Sequence, residues 1–150
     1  MLDDIEVSGE FKVTCSSAHS SYRAGYAFKS TLDTWGNFNG GYSTDAVTNY
    51  PYLGSITTSA SGNTYSGDWL QIECPMKFNL KYFSYDKSWN SSIWMRGVVV
   101  VASNNGSTWN YLTAVSAPTL SDTNTKSQLT VNTTAYKFYR FIVTNGGGIY

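Results

Sequence analysis

The chain has few charged side chains and no long apolar run. Charged residues make up 13% of the 150 positions, and ten acidic residues balance ten basic ones. This balance offers no basic surface for DNA, RNA or an anionic membrane, so we expect no nucleic acid as a partner. The longest apolar run, Val98 to Ala102, is far too short to cross a bilayer, and no membrane insertion is expected. The acidic start at Met1 is followed by no apolar stretch, so no secretory signal is expected either.

Cysteine and histidine are also scarce. Cys15 and Cys74 each take an alternating apolar position in a strand-like segment, and their number and spacing do not match a metal cluster. We expect them to be small buried hydrophobic side chains; a disulfide between them and reactive thiols are the alternatives. His19 is the single histidine. A serine nucleophile therefore has one candidate histidine base, and no motif marks the serines, so we expect no enzymatic activity.

Aromatic residues are abundant, with 12 Tyr, 7 Phe and 5 Trp. Together with frequent Ser, Thr, Asn and Gly they favour strands and short loops, because aromatic and β-branched side chains fit a pleated, half-buried surface. Apolar and polar residues alternate with a period of two, and the length suits one domain covering residues 1–150. The predicted strands are 2–7, 11–15, 69–74, 78–85, 93–103, 109–115, 128–131 and 135–144.

The connections carry their own signals. We expect residues 17–66 to be irregular, with one helical turn around Tyr22 to Phe28. Pro75 should end the strand before it, because proline has no N–H for a ladder. Asn105-Gly106 predicts a hairpin, because both residues tolerate positive φ. About eight strands with such turns between them predict an all-β sandwich or barrel.

Four segments, in order, resemble the discoidin or coagulation-factor C-type domains, a galactose-binding-like family also found in viral surface and capsid proteins. They are Ala27-Phe28 followed by Asp33-Thr34-Trp35, then Gly67-Asp68-Trp69-Leu70-Gln71-Ile72-Glu73, then Ala102-Ser103-Asn104-Asn105-Gly106-Ser107-Thr108-Trp109, and finally Tyr139-Arg140-Phe141-Ile142-Val143. The resemblance implies a two-sheet jelly-roll β-sandwich of about eight antiparallel strands. It also implies a glycan ligand, of the galactose type, held by loops at one end of the sandwich.

The chain departs from the family at two places. The early turn of the family often binds calcium through carbonyl groups and an Asp, but Lys29 stands at the Asp position here. Asp33 could supply one carboxylate, which is few for calcium. We therefore expect no cofactor, and calcium is the alternative. The segment Leu2 to Gly9 resembles the closing strand of the family; it could complete its own sandwich or that of a neighbouring copy, or be an ordinary first strand.

Sugar sites combine an aromatic face for the C–H groups with Asn or Arg side chains for the hydroxyls. Two loop regions carry that mixture. The candidate ligand-binding residues are Arg23, Asn37, Asn39, Tyr42, Tyr52, Trp89, Asn90 and Trp94. The alternatives are that many of these aromatic residues, like Trp35, pack loops onto the sandwich, or that they form a protein–protein surface.

We therefore expect a non-catalytic binding module that recognises a carbohydrate or a glycosylated receptor on a virion surface, capsid, spike or tail fibre, and otherwise in an extracellular setting. The alternative function is a structural capsid or fibre subunit whose contacts are with neighbouring virion proteins or copies of itself. A secreted bacterial adhesion module, or a binding module attached to an enzyme, is a third expectation.

Overall fold

The computed structural model describes residues 10–17, 23–28, 35, 41–44, 50–85, 94–116, 125–128 and 133–147. Within these ranges the chain forms nine strands and one short 3-10 helix, Ala24–Phe28. The strands are β1 (Lys12–Cys15), β2 (Thr57–Ala60), β3 (Asn63–Ser66), β4 (Asp68–Phe78), β5 (Tyr82–Tyr85), β6 (Trp94–Ser103), β7 (Asn110–Ser116), β8 (Thr125–Gln128) and β9 (Tyr136–Gly147). The all-β prediction is confirmed. The predicted strand at 2–7, and with it the closing-strand hypothesis, lies outside the described residues. No helix in those ranges has the length and hydropathy that a membrane span requires.

The main layer is a five-stranded antiparallel sheet with the strand order β1-β4-β9-β6-β7. Strand β9 lies at its centre, where Tyr139 and Ile142 are fully buried between β4 and β6. Apart from the β6–β7 hairpin, neighbours in this sheet are far apart in sequence, which is typical of jelly rolls rather than of a simple meander. The predicted β-sandwich is confirmed in this arrangement.

Both faces of this sheet are covered, because successive side chains of a strand point to opposite faces. On the first face, Val99, Val101 and Ile142 pack against the β2–β3 hairpin through Ala60 and Tyr65. On the second face, residues on β6 and β9 pack against the β5 side of the β5–β8 sheet. The pairs there include Phe83 and Phe141, whose ring centroids lie 5.3 Å apart.

A stacked guanidinium group organises the first face. Arg140 lies between two indoles, with its Cζ 4.0 Å from the centroid of Trp69 and 4.1 Å from that of Trp109. Its Nη2 donates to Gln71 Oε1 at 2.7 Å, and its Nη1 donates to Thr58 Oγ1 at 3.0 Å. Burial lowers the pKa of Arg140 to about 10, so the group stays charged at neutral pH. The stack fixes the hairpin to the sheet, because Thr58 belongs to β2.

The predicted end of a strand at Pro75 is wrong. Strand β4 continues through Pro75 to Phe78. Its register against β9 shifts between Glu73 and Phe78, so the proline lies in a bulge. A bulge leaves ladder positions unpaired, and the missing N–H of proline costs nothing there.

The prediction that residues 17–66 are irregular is also wrong at its end, where β2 and β3 form a hairpin. Ser61 and Gly62 at its turn have φ angles of 49° and 82°. Positive φ at both central residues is the hairpin turn that matches strand twist, with serine replacing the more usual Asn. The helical turn predicted near Phe28 is confirmed as the 3-10 helix.

The β6–β7 hairpin is confirmed, with a different turn from the predicted one. Of its Asn-Gly pair only Gly106 has a positive φ, at 74°. Asn105 instead uses its side chain, whose Oδ1 accepts from the N–H groups of Ser107 and Thr108 at 2.9 Å each. This capped loop fixes the start of β7 next to Trp109.

Both cysteines are free thiols. Cys74 is buried with 1% exposure, as expected of a small hydrophobic side chain, and Cys15 is half-buried at the end of β1.

Candidate functional site

Two short segments lie side by side at the C-terminal end of β9. We call residues 41–43 and 50–53 the strap. Tyr42 and Tyr52 form an antiparallel bridge, and Leu53 N–H donates to the carbonyl of Gly41 at 2.8 Å. The second segment pairs with β9: Tyr52 N–H donates to Thr144 O at 3.1 Å, and Gly146 N–H donates to Tyr50 O at 3.0 Å. The strap is therefore held as an extension of the sheet.

Tyr50 adopts a backbone conformation that non-glycine residues avoid. Its φ is 51°, and the following Pro51 restricts it further. A left-handed non-glycine residue costs on the order of 1–3 kcal/mol and is found preferentially at functional sites. Here the bridge between Pro51 and Asn145 holds the conformation, and Leu53, two residues beyond Pro51, has 66% of its surface exposed. The strap thus holds the backbone of Tyr50 and Leu53 in place and leaves the Leu53 side chain largely exposed.

Arg96 reaches the strap from β6. Its Cζ lies 4.4 Å from the ring centroid of Tyr50, and both residues are half-buried. Around Gly97 the β6–β9 register shifts twice, and such bulges redirect neighbouring side chains. A Cβ at Gly97 would lie 2.7 Å from Thr144 Oγ1 and 2.9 Å from Asn145 Oδ1, so a larger residue here would have to displace these two side chains. The guanidinium therefore stacks on one face of the Tyr50 ring.

Tyr42 ties the strap to the interior. It is 5% exposed; its hydroxyl donates to Val143 O at 2.9 Å and accepts from Asp68 N–H at 3.3 Å. Burial, and secondarily the charge of Asp68, raises the pKa of Tyr42 well above its usual value of 10.0. The edge of the Tyr42 ring meets Tyr52 with the centroids 5.1 Å apart. These contacts give Tyr42 a structural role.

A second set of polar contacts anchors the chain after β1. The Oγ atoms of Ser16 and Ser17 donate to Asp68 Oδ1 at 3.0 and 2.6 Å. Trp35 Nε1–H donates to the carbonyl of Ser17 at 3.0 Å, which supports the structural interpretation of this tryptophan. Asp68 therefore joins β1 to β4 directly below the strap.

The structure places the predicted ligand-binding residues unevenly. Arg23 is exposed immediately before the 3-10 helix, which lies next to β1. Tyr42 and Tyr52 come together in the strap, Tyr42 buried and Tyr52 half-buried, and burial raises the pKa of Tyr52. Trp94 begins β6 opposite Gly147. Asn37, Asn39, Trp89 and Asn90 lie outside the described residues, as do His19, Lys29 and the calcium candidate Asp33. The ligand roles of six residues and the calcium role of Asp33 stay predictions; the six are Arg23, Asn37, Asn39, Tyr52, Trp89 and Asn90. The same holds for Trp94.

Two residues of the site are absent from the predicted set. Tyr50 is one of several aromatic residues in the predicted irregular region 17–66. Its residue type alone does not distinguish it from Tyr42. Arg96 carried a usable signal, because it is a lone charge immediately before Gly97 and the apolar run of β6. A charge at that position must reach the surface at the strand end.

Comparison with known proteins supports the fold. No family model matches the sequence, and no curated protein matches it either. Solved structures do match. The CBM32 module CpGH89CBM32-5 from Clostridium perfringens, solved with GalNAc-β-1,3-galactose, has a TM-score of 0.63 and 13% identity, covering 93% of this chain and 87% of that one. The family 32 module of NanJ from C. perfringens, solved with galactose, has a TM-score of 0.60 and 10% identity, covering 93% and 85%.

A third structure extends the range of sugars. The CBM32 of AlyQ, solved with 4,5-unsaturated mannuronic acid, has a TM-score of 0.59 and 10% identity, covering 90% of this chain and 82% of that one. None of these three modules is identified as a component of a virion. The chain therefore has the discoidin-like, galactose-binding-like β-sandwich fold of family 32 carbohydrate-binding modules.

Proposed function

We propose that the chain is a non-catalytic carbohydrate-binding module and that the strap with Arg96 is its sugar site. The observation that carries this proposal is the Tyr50–Arg96 pair, with the guanidinium 4.4 Å from the ring centroid. Because the guanidinium covers one face of the ring, the opposite face would receive the C–H groups of a pyranose, and N–H groups at the edge of the guanidinium would donate to its hydroxyls. The likeness to modules solved with galactose-containing sugars and with a uronic acid supports the same class of ligand.

The geometry of the strap suits recognition better than catalysis. The carbonyl of Tyr50 accepts a hydrogen bond from Gly146 N–H on β9, and its ring packs against Arg96, so little conformational freedom is lost when a ligand binds. Within the described residues, no group of three or more His, Cys, Asp or Glu side chains is close enough to hold a metal ion. We propose that the module binds its glycan unchanged, and mass spectrometry of the recovered glycan would reveal any cleavage.

A glycan array tests the proposal. Folded wild-type protein should bind a subset of glycans, with galactose-terminated and uronic-acid-containing probes as the first candidates. Tyr50→Ala should weaken binding by about tenfold, in the range that loss of one aromatic anchor produces. Tyr82→Ala is the matched control, since Tyr82 is a 56% exposed tyrosine on β5, and it should bind as the wild type does.

Absence of any bound glycan at high density of folded wild-type protein would overturn the proposal. A wild-type signal that Tyr50→Ala leaves unchanged would move the site away from the strap. The location on a virion surface or elsewhere outside the cell, and self-association or contact with virion proteins, stay predictions; light scattering after size-exclusion chromatography measures the self-association.

A further inference from the structure

Tyr65 and Tyr111 form a second exposed aromatic feature. Their rings stack with the centroids 5.9 Å apart and an interplanar angle of 19°. Tyr111 lies opposite Val101, five residues beyond Arg96 along β6. At a strand rise of about 3.3 Å per residue this is roughly 17 Å from the strap, too far for one sugar ring to touch both.

The two rings differ in burial: Tyr65 is the inner ring of the stack and Tyr111 is the outer one. Tyr65 is half-buried and packs against the cluster that contains Ala60 and Trp109. Tyr111 is 40% exposed. The stack therefore ends at the surface in the ring of Tyr111, which rests on Tyr65 and leaves surface for a ligand. An aromatic ring held by a second ring loses little side-chain freedom on binding.

Ser61, next to Tyr111, has a strained backbone conformation that hydrogen bonds to β7 and Trp109 stabilise. Ser61 has a φ of 49° and, with Tyr50, is one of the two non-glycine residues with positive φ in the described ranges. Ser61 N–H donates to Trp109 O at 3.2 Å, and Tyr111 N–H donates to Ser61 Oγ at 3.0 Å. Non-glycine residues in such conformations cluster at binding and active sites. The hairpin turn and the start of β7 therefore form one rigid unit.

The chemistry of this surface excludes charged ligands. Residues 52–67 and 97–116 contain no charged side chain. The polar side chains of the turn region are the hydroxyl of Ser61 and the amides of Asn63 and Asn110, and all three residues are exposed. The charged residue that contacts these strands, Arg140, is enclosed between Trp69 and Trp109, so a nucleic acid or an acidic polymer finds no exposed counter-charge among these residues. Among the described exposed large hydrophobic side chains, Tyr111 alone belongs to β2, β3 or β7, so the apolar centre of a protein interface is also missing.

We propose that Tyr111 is the stacking residue of a second binding site, which takes sugar units of a neutral polysaccharide. The ring of Tyr111 receives the C–H face of a pyranose, and the amides of Asn63 and Asn110 with the Ser61 hydroxyl serve its hydroxyl groups. This site is independent of the strap, so it stands whether or not Tyr50 and Arg96 bind a glycan.

Native electrophoresis in gels that contain soluble galactomannan or mixed-linkage β-glucan tests the second site. Four variants are compared with the wild type: Tyr111→Ala, Tyr111→Phe, Tyr50→Ala and the matched control Tyr82→Ala. Wild-type protein should be retarded, Tyr111→Ala should bind about fivefold more weakly or worse, and Tyr111→Phe and Tyr82→Ala should behave as the wild type. Circular dichroism confirms that each variant is folded.

The variants in this experiment distinguish the second site from the strap. Partial loss of retardation in both Tyr50→Ala and Tyr111→Ala supports two sites. Loss in Tyr111→Ala alone supports the second site and shows that the strap does not bind these polysaccharides. Retardation of Tyr111→Ala equal to that of the wild type overturns the second site, as does a wild-type protein that neither polysaccharide retards.

Discussion

Single hydroxyl groups connect the loop region to the sheet. The hydroxyl of Tyr42 joins two backbone groups on neighbouring strands, Val143 O on β9 and Asp68 N on β4. On the second face, Leu80 N–H donates at 3.1 Å to the hydroxyl of Tyr139, which in turn donates to Phe78 O, so this residue fixes the chain after β4. Both tyrosines are buried. Each therefore satisfies backbone groups that would otherwise be costly to leave unpaired.

Tyr42→Phe should lower the free energy of unfolding by about 1–3 kcal/mol, because it leaves the two backbone partners without the hydroxyl. Urea unfolding measures this loss. Tyr82→Phe on β5, where the side chain is 56% exposed, is the matched control and should change stability by less than about 0.5 kcal/mol. Equal stability of the Tyr42 and Tyr82 variants would contradict the structural role of Tyr42.

The same residue predicts a pH dependence. Burial raises the pKa of Tyr42 above the ordinary value of 10.0, which the unfolded chain keeps. Below pH 10 both states are protonated and stability is unaffected; above it the unfolded chain loses the proton first, so stability falls as pH rises. Urea midpoints between about pH 9 and 11 should fall less steeply for Tyr42→Phe than for the wild type. Parallel slopes would show that Tyr42 is not protected from ionisation.

The two thiols should differ in reactivity. Burial, with a smaller effect of Glu73, raises the pKa of Cys74 to about 11, and its side chain is 1% exposed. Thiolate is the reactive form. A chromogenic thiol reagent at neutral pH should therefore label Cys15 in the native protein and both cysteines in urea. Labelling of Cys74 at the rate of Cys15 in the native state would contradict its burial.

The sequence predicts the long strands more clearly than it predicts the β2–β3 hairpin. Strand β4 alternates apolar and polar residues, and β6 and β9 carry apolar side chains on both faces of the sheet, so the sequence predicts all three as strands. The β2–β3 hairpin has no such pattern: its inward residues are Thr58, Ala60 and Tyr65, and its turn uses Ser61. What makes it a stable element is tertiary, namely the contact of Arg140 with Thr58 and of Tyr65 with the core. A sequence window cannot contain those contacts.

The Trp69–Arg140–Trp109 stack should carry much of the stability of the hairpin. Trp109→Ala removes a 7% exposed indole and one wall of the stack, which should cost about 3–5 kcal/mol. Trp69→Ala should cost less, since Trp69 is half-buried. Thermal or urea unfolding compares both with Tyr82→Ala, which should cost far less than either. A Trp109→Ala protein as stable as the Tyr82 control would show that the stack is dispensable.

The candidate site shows where sequence reasoning ends. Residue types in the loops predicted sugar chemistry, and the fold is one that is shared with modules solved with galactose-containing sugars. The types alone could not separate Tyr42, whose hydroxyl is used internally, from Tyr50, whose ring faces Arg96. That distinction depends on the left-handed Tyr50 and on the bulge at Gly97, both set by pairing with β9.

At the scale of the whole molecule, the five-stranded sheet carries two candidate ligand-binding surfaces. One is the strap with Arg96 at the end of β9, and the other is Tyr111 at the edge strand β7. In these two proposals the sheet is a rigid scaffold; Tyr50 lies on a connecting segment, whereas Arg96 and Tyr111 lie on strands β6 and β7. A single domain over residues 1–150 stays a prediction, and a single cooperative unfolding transition is the expected behaviour.

The most direct test of the account is a titration of isotope-labelled protein with GalNAc-β-1,3-galactose, followed by amide chemical shifts. The account predicts saturable shifts that concentrate at Tyr50, Leu53 and Arg96 and in residues 144–146, with the turn at Asn104 to Thr108 unchanged. Saturable shifts centred on that turn, with the strap unchanged, would contradict it.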